Sequence, residues 1–396
     1  MKITGLRVVR HYINYKPRFA CGERTSRPLD VYEEYNYTAE FFEKGDAPEK
    51  ERSADFLVIT TDEGLEGIHG PIEYRAQLIT AVEGLSEHII GRDPLENRMI
   101  WDIMSRFERH ARSGIMMMAI SAIDIALWDL KGKILGQPVY KLLGGGRKRL
   151  RPYASTLGFS VEPDIAKRLA LEVKAMGIRA QKWFFRYGPG DGQEGMRKNL
   201  NLAFALREAL GEDYELMFDC WTGWSVSYAN RMFKELEAVR PMWVEEVLRP
   251  QMTDAYRRLR GLSPVTLSAG EHLYTRMEVN TYLREGIFGV MQSDPDWCGG
   301  ITEALRIGDL CEIYGVTFIP HGHSLMSAMH IVASMPPDIC PYVEYLLEFL
   351  DYKEHYFKHK RLGADGFLTI NEEPGLGYEL DFEKIIKSED VTNRYI

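Results

Sequence analysis

Hydrophobic positions follow two different rhythms along the chain. Residues 3–13 alternate apolar and polar side chains, the pattern of a half-buried strand. Residues 55–68 (DFLVITTDEGLEGI) form two β-rich runs around Asp62-Glu63-Gly64 and predict a hairpin. The stretch between them, 15–52, is polar and aromatic with no period. A connection of that length is expected to be a lid or a disordered segment. Helical spacing follows at 75–90 and over 116–135, the second segment ending at the breaker Gly136-Gln137-Pro138. Gly144-Gly145-Gly146 reads as a junction.

From Leu150 onward the rhythm changes. Short β-rich runs at 151–156, 178–184, 215–219, 242–245, 265–271, 288–294, 316–321 and 342–347 alternate with amphipathic helical patterns at 199–210, 227–239, 254–262, 276–285 and 302–313. Eight such repeats predict an α/β protein of the TIM-barrel kind. The last unit is degenerate. The tail beyond it, with a β-rich run at 366–370 and Pro374-Gly375-Leu376-Gly377, is expected to return to the N-terminal part.

Composition narrows the function classes. The chain has 396 residues, 45% hydrophobic and 27% charged, with a net charge of −9. This is a globular balance with enough apolar residues for a large core. The negative charge repels phosphate backbones, so no nucleic-acid partner is expected. No stretch reaches the roughly 18 apolar residues of a membrane span, so no membrane partner is expected either. Cys21, Cys220, Cys298, Cys311 and Cys340 stand far apart with no CxxC pair. That spacing argues against a disulfide framework and fits a reducing, cytoplasmic location.

In a barrel, chemistry sits at the C-terminal ends of the strands. The third, fourth and fifth candidate strands end LMFD, WVEE and LSAGE, at Asp219, Glu245 (followed by Glu246) and Glu271. The interval is 26 residues each time (219 to 245 to 271), one βα unit. Any one such acid is ordinarily a strand-end or helix-cap residue. Three on consecutive strands repel one another, and a hard divalent cation such as Mg²⁺ relieves that repulsion with oxygen ligands. The sixth strand ends MQSD at Asp294 and the seventh FIPH at His321, again one unit apart. An Asp beside a His sets the imidazole tautomer and raises its basicity. His323, two residues further, is a rival for that role. Lys182 lies in the apolar strand RAQKWFF and serves either as a second acid/base group or as countercharge to the carboxylates. Glu344 in the eighth strand, with Glu348 as rival, touches substrate or metal water, or forms a strand-end salt bridge.

These residues carry a family resemblance. The hairpin TDEGLEGIHG, the helix AISAIDIALWDLKGKILGQPVYKLLGG and the ladder FDCW, WVEE, SAGEH, MQSDPDWCGG and PHGHS together resemble the enolase superfamily, mandelate racemase group. The nearest subgroup is the L-rhamnonate dehydratases, through YGPGDGQEGMRKN, FDCW and the WCGG turn. The resemblance implies a modified (β/α)₇β TIM barrel, over 126–361, under an α+β capping domain, 1–125, completed by 362–396. It implies Asp219, Glu245 and Glu271 as Mg²⁺ ligands, Asp294–His321 as the acid–base dyad, and Glu344 as the strand-eight carboxylate. His272, following the third ligand, would contact substrate, as would Lys182 and Glu344. It further implies a homo-oligomer acting on a small sugar acid. One departure stands out: many members carry Lys-x-Lys on the second strand, and here Phe184 replaces the second lysine.

The expected activity is dehydration of an aldonate or aldarate to a 2-keto-3-deoxy acid, with His321 removing the proton α to the carboxylate. Within the fold the rival is a racemase, epimerase or cycloisomerase. Outside it the rivals are a two-carboxylate glycosidase and a sugar-acid-binding protein without chemistry.

Overall fold

The computed structural model describes residues 1–394. The N-terminal alternation becomes strand β1 (Ile3–Tyr15), which buries Leu6, Val8, Ile13 and Tyr15. β1 pairs antiparallel with β2 (Lys50–Thr61), and β2 with β3 (Glu66–Ile72), around the expected 62–64 turn. The helical stretch after β3 is irregular, with α1 (Arg75–Ile79) running into wider and tighter turns through His88. Next come α2 (Asn97–Phe107), α3 (Gly114–Leu135) and the short α4 (Val139–Leu142). No helix among the described residues is long and apolar enough to cross a membrane.

α3 is apolar on all sides because it is buried on all sides. Ile120, Ile123 and Leu127 join Val8, Leu57 and Ile59 in the N-terminal core, while Ile125 and Trp128 join the larger C-terminal core. Its two buried acids tie the halves together. Asp129 accepts from the backbone N–H of Ile68 (2.9 Å) and of Leu376 (2.8 Å) and pairs with Lys133 (2.6 Å). Asp124 accepts from Thr302 N (2.9 Å) and Oγ1 (2.6 Å), and burial pushes its carboxyl up to about 7. The helix reaches the sheet because Gly67 has no side chain. A Cβ there would sit 2.2 Å from the Ala126 carbonyl oxygen.

The expected strands then follow, each leading into a helix. They are β4 (Arg149–Ser155), β5 (Ala180–Phe184), β6 (Glu215–Asp219), β7 (Val244–Glu245), β8 (Leu267–Ala269), β9 (Val290–Met291), β10 (Thr317–Phe318) and β11 (Tyr342–Leu346). The helices are α5 (Pro163–Ala175), α6 (Gly192–Leu210), α7 (Val226–Leu236), α8 (Thr253–Arg260), α9 (Thr275–Arg284), α10 (Gly300–Tyr314), α11 (Leu325–Ser334) and α12 (Leu347–Glu354). The strands pair in parallel in the order β10-β9-β8-β7-β6-β5-β4-β11. The sheet curls, and its edges meet where Phe318 N donates to the Ile339 carbonyl (2.8 Å) and Gly322 N to Glu344 (3.0 Å). Several strands are shorter than their apolar runs, because chain that is apolar for burial need not be laddered. Tyr153, Met217, Trp243, Val290 and Ile319 fill the interior of the curl.

The tail divides between the two sheets. β12 (Leu368–Thr369) pairs with β4, and β13 (Ile385–Asp390) adds an antiparallel edge to β1. The 15–52 segment, read as lid or disorder, holds a Cys21–Phe42 bridge and two tight turns, Pro28–Val31 and Glu33–Tyr35. It lies against the strand ends, where Ser26 N donates to the Phe185 carbonyl (2.8 Å) and its hydroxyl to that of Cys220 (2.7 Å). All five cysteines are free and four are buried.

Candidate active site

The strand ends deliver their acids to one place. Asp219 closes β6, Glu245 closes β7 and is followed by Glu246, and Glu271 lies two residues beyond β8. Asp294 follows β9, His321 follows β10, and Glu344 stands in β11. Six buried carboxylates (Asp219, Glu245, Glu246, Glu271, Asp294 and Glu344) thus face one lysine and two imidazoles, Lys182, His272 and His321. Several backbones here are left-handed without glycine: Trp221 (φ 38°), Thr222 (57°), Glu246 (44°) and Thr275 (59°). Such strain concentrates where side chains must be aimed against local preference.

Lys182 is the hub of the lower layer. Its Nζ lies 3.0 Å from Asp219, 2.7 Å from Glu245 and 2.9 Å from Glu344. Burial opposes its charge, but Glu245 and Glu344 outweigh burial and hold the ammonium well above its usual pKa. Glu344 is subject to the converse balance. Burial raises it, Lys182 and His321 overcome that, and the carboxyl rests at about 2. Glu344 is therefore an ionised acceptor. Glu348, its rival, lies elsewhere, accepting from Tyr15 (3.1 Å) and from the Phe19 backbone (3.3 Å).

His321 is held by Asp294, whose Oδ2 lies 2.5 Å from Nδ1. Its Nε2 is 3.2 Å from Glu271 and 3.7 Å from Glu344. Burial lowers its pKa, and the negative charge of Glu271, Glu344 and Asp294 outweighs that and lifts it well above the ordinary value. His272 pairs with Glu246 (2.9 Å), which helps raise it to about 10 against burial. His323 has its own partners, Asp296 at Nδ1 (2.8 Å) and Glu73 at Nε2 (3.1 Å). The Trp297 ring packs against all three imidazoles, at centroid distances of 5.1–5.5 Å.

A cavity of about 260 Å³ opens above this layer. Asp219, Glu271, His321, Phe184, Leu346 and Trp297 are among the residues that line it. Lys182, Glu245 and Glu344 lie beneath and do not line it, and neither does His272. Glu73, Tyr74 and Trp297 do line it and were not singled out from sequence. Asp296 and Trp297 stood in plain view beside Asp294 in the DPDW run. Glu73 and Tyr74 had no local signal, because they arrive from the N-terminal unit.

The donor set fits a divalent cation. Burial pushes Asp219 and Glu245 up and Glu271 up to about 7, even with Lys182 beside the first two and His321 beside the third, so the site gathers more carboxylates than its own cations balance. Hard oxygen ligands in this number suit Mg²⁺. Carboxylate oxygens of Glu246 and Glu271 and a His272 nitrogen lie within 4.8 Å of one another. Among the described residues this compact group contains Glu246, not the Glu245 and Asp219 that the sequence reading paired with Glu271.

Comparison with known proteins identifies the family. Residues 48–144 match the mandelate racemase / muconate lactonizing enzyme N-terminal domain, and 164–385 match the enolase C-terminal domain-like family. An L-rhamnonate dehydratase of Saccharopolyspora erythraea is 35% identical over 309 residues, 76% of each chain. The rhamnonate dehydratase of Gibberella zeae, crystallised with Mg, superposes with a TM-score of 0.82 at 26% identity, covering 100% of this chain and 97% of that one. The 3,6-anhydro-D-galactonate cycloisomerase of Zobellia galactanivorans has a TM-score of 0.77 at 27% identity, covering 97% and 98%. With both family domains matched and the strand-end carboxylates gathered at one rim, the chain belongs to the enolase superfamily, in its mandelate racemase group.

Proposed function

We propose that this enzyme is a Mg²⁺-dependent sugar acid dehydratase of the rhamnonate dehydratase kind, a carbon–oxygen lyase. In this reading Asp219, Glu245 and Glu271 hold the ion, and the curled sheet is a modified (β/α)₇β barrel with its seam between β10 and β11. Bound there, Mg²⁺ supplies positive charge to the substrate carboxylate, the large electrostatic contribution that abstraction of so weak an acid requires. Pairing a Lys or His base with Mg²⁺ is the general arrangement of enolase-superfamily sites.

The chain's own residues handle the proton. Asp294 occupies His321 Nδ1, which leaves Nε2 as the nitrogen for proton transfer. Nε2 takes the α-proton, and the C–H electron pair becomes the new C=C bond. The same nitrogen, now N–H, returns its proton to the departing β-hydroxyl as the C–O bond breaks, releasing water. The enol then tautomerises to a 2-keto-3-deoxy acid. The charge of Glu271 is the largest of those that hold His321 protonated; with that carboxylate engaged by the ion, Nε2 would be freed to accept the proton, and Lys182 acts as fixed countercharge.

The observation that carries the reading is one base on one wall. His321 and Phe184 line the same cavity, and Phe184 stands where a two-base racemase needs its second lysine. Elimination needs one acid–base group, whereas racemisation through two bases needs two. The test is a panel of aldonic and aldaric acids with Mg²⁺, scored for 2-keto acid. Exchange of the α-proton with deuterated solvent without keto product would instead identify a racemase, and a lactone product would favour the cycloisomerase alternative.

A further inference from the structure

Beside the His321–Asp294 dyad runs a second chain of acids and imidazoles that the reaction above does not use. It begins in the N-terminal unit. His69, in β3, lies 3.2 Å from the Tyr378 hydroxyl through Nδ1 and 3.0 Å from Asp296 through Nε2. The other oxygen of Asp296 meets His323 Nδ1 at 2.8 Å, and His323 Nε2 meets Glu73 at 3.1 Å. Lys353 donates to the His323 carbonyl at 2.9 Å. His69, Asp296 and His323 are buried, but the Glu73 side chain is 37% exposed and lines the cavity.

Two features of the cavity give this chain a purpose. Glu73 is an acid lining it outside the strand-end cluster, and among the described residues one of its oxygens is engaged, by His323. Among the described residues no lysine or arginine lines the cavity. A second carboxylate on the substrate would find no lysine or arginine, only imidazoles already committed to carboxylates (His321 to Asp294, His323 to Asp296 and Glu73), and would meet Glu73. Substrate hydroxyls, in contrast, are donors that an oriented carboxylate accepts.

We propose that Glu73, held by His323, is a specificity-determining residue that accepts hydrogen bonds from substrate hydroxyls remote from the reacting carboxylate, and so selects polyhydroxy monocarboxylates over dicarboxylates. The inference rests on the sugar-acid reading above. His323 is a positioning residue: an imidazole locked at Nδ1 by Asp296 presents Nε2–H to Glu73 in one direction.

The test is calorimetric binding, with Mg²⁺ present, of matched pairs that differ in one terminal group: D-gluconate with D-glucarate, and D-galactonate with galactarate. Wild-type protein should bind the better aldonate at least ten-fold more tightly than its aldarate. Glu73→Gln should cut that ratio to near one, chiefly by raising KM for a turned-over aldonate and leaving kcat within a few-fold. His323→Gln, which keeps a donor, should retain more of the ratio than His323→Ala. Unchanged Mg²⁺ affinity and unfolding midpoint in Glu73→Gln exclude a merely structural effect. A ratio unaltered by Glu73→Gln, a wild-type preference for the aldarate, or no binding of either aldonate would overturn the proposal. Aldonate binding without any 2-keto product would refute the dehydratase reading alone, because the binding ratio still reports on Glu73.

Discussion

His330 provides a test of the packing that is independent of the metal. It sits in α11 at 1% exposure. Its Nδ1 accepts from the Tyr140 backbone N–H at 2.9 Å, and its Nε2 lies 3.3 Å from the Leu376 carbonyl. The ring thereby joins α4, α11 and the returning tail. Burial pushes its pKa from 6.5 down to about 4. A histidine depressed in the fold stabilises it when neutral. That contribution is present above pH 6.5 and is lost as pH falls through the window from 6.5 to about 4. The full span of roughly 2.5 units corresponds to about 3 kcal/mol, of which about 2 kcal/mol disappears between pH 7 and pH 5. Protonation also removes the acceptor for Tyr140 N–H. The perturbation is His330→Asn, which does not titrate. Urea unfolding at pH 7 and pH 5 should show the stability gap between wild type and variant shrinking by about 2 kcal/mol. A pH-independent gap, or an NMR titration placing His330 near 6.5, would refute the reasoning.

Other outcomes follow from the site. His321→Asn should lower turnover by about 10⁴-fold, the upper end for one acid–base group, because one nitrogen serves both proton transfers. Its Mg²⁺ binding by calorimetry should persist, and near-parental turnover would remove the dyad assignment. Glu271→Gln should weaken Mg²⁺ binding by at least the roughly 10–100-fold that a mere supporting group costs; unaltered affinity would remove Glu271 from the ligand set. Lys182→Met strands Asp219, Glu245 and Glu344 without a cation and should cost about 3–5 kcal/mol in urea unfolding without metal. A loss below about 1 kcal/mol would mean that those acids are neutral in the fold.

Much of the site was legible because a barrel converts period into place. One βα unit separates Asp219 from Glu245 and Glu245 from Glu271, so spacing alone put all three on neighbouring strand ends. A lysine inside an apolar strand signalled an internal partner, although nothing local could say that Lys182 has three. Spacing could not separate His321 from His323 in PHGHS. The separation came from partners, with Asp294 on one and Asp296 with Glu73 on the other. Nor could it foresee Glu344 as an ionised acceptor at about 2, because that follows from Lys182 and His321 closing over it against burial.

The sequence by itself determined the two sheets, the span of α3 and the identity of the strand-end acids. These are local properties: alternation, helical period and breakers act over a few residues. Tertiary structure alone decided which carboxylates share a cation, where Glu348 goes, how the 15–52 segment lies, and that Glu73 reaches a cavity whose base is 248 residues later (73 to 321). The physical reason is the range of the forces. Patterning fixes the face a side chain presents, but charge balance and desolvation depend on every group within several ångströms once the sheet has curled and the N-terminal unit has docked.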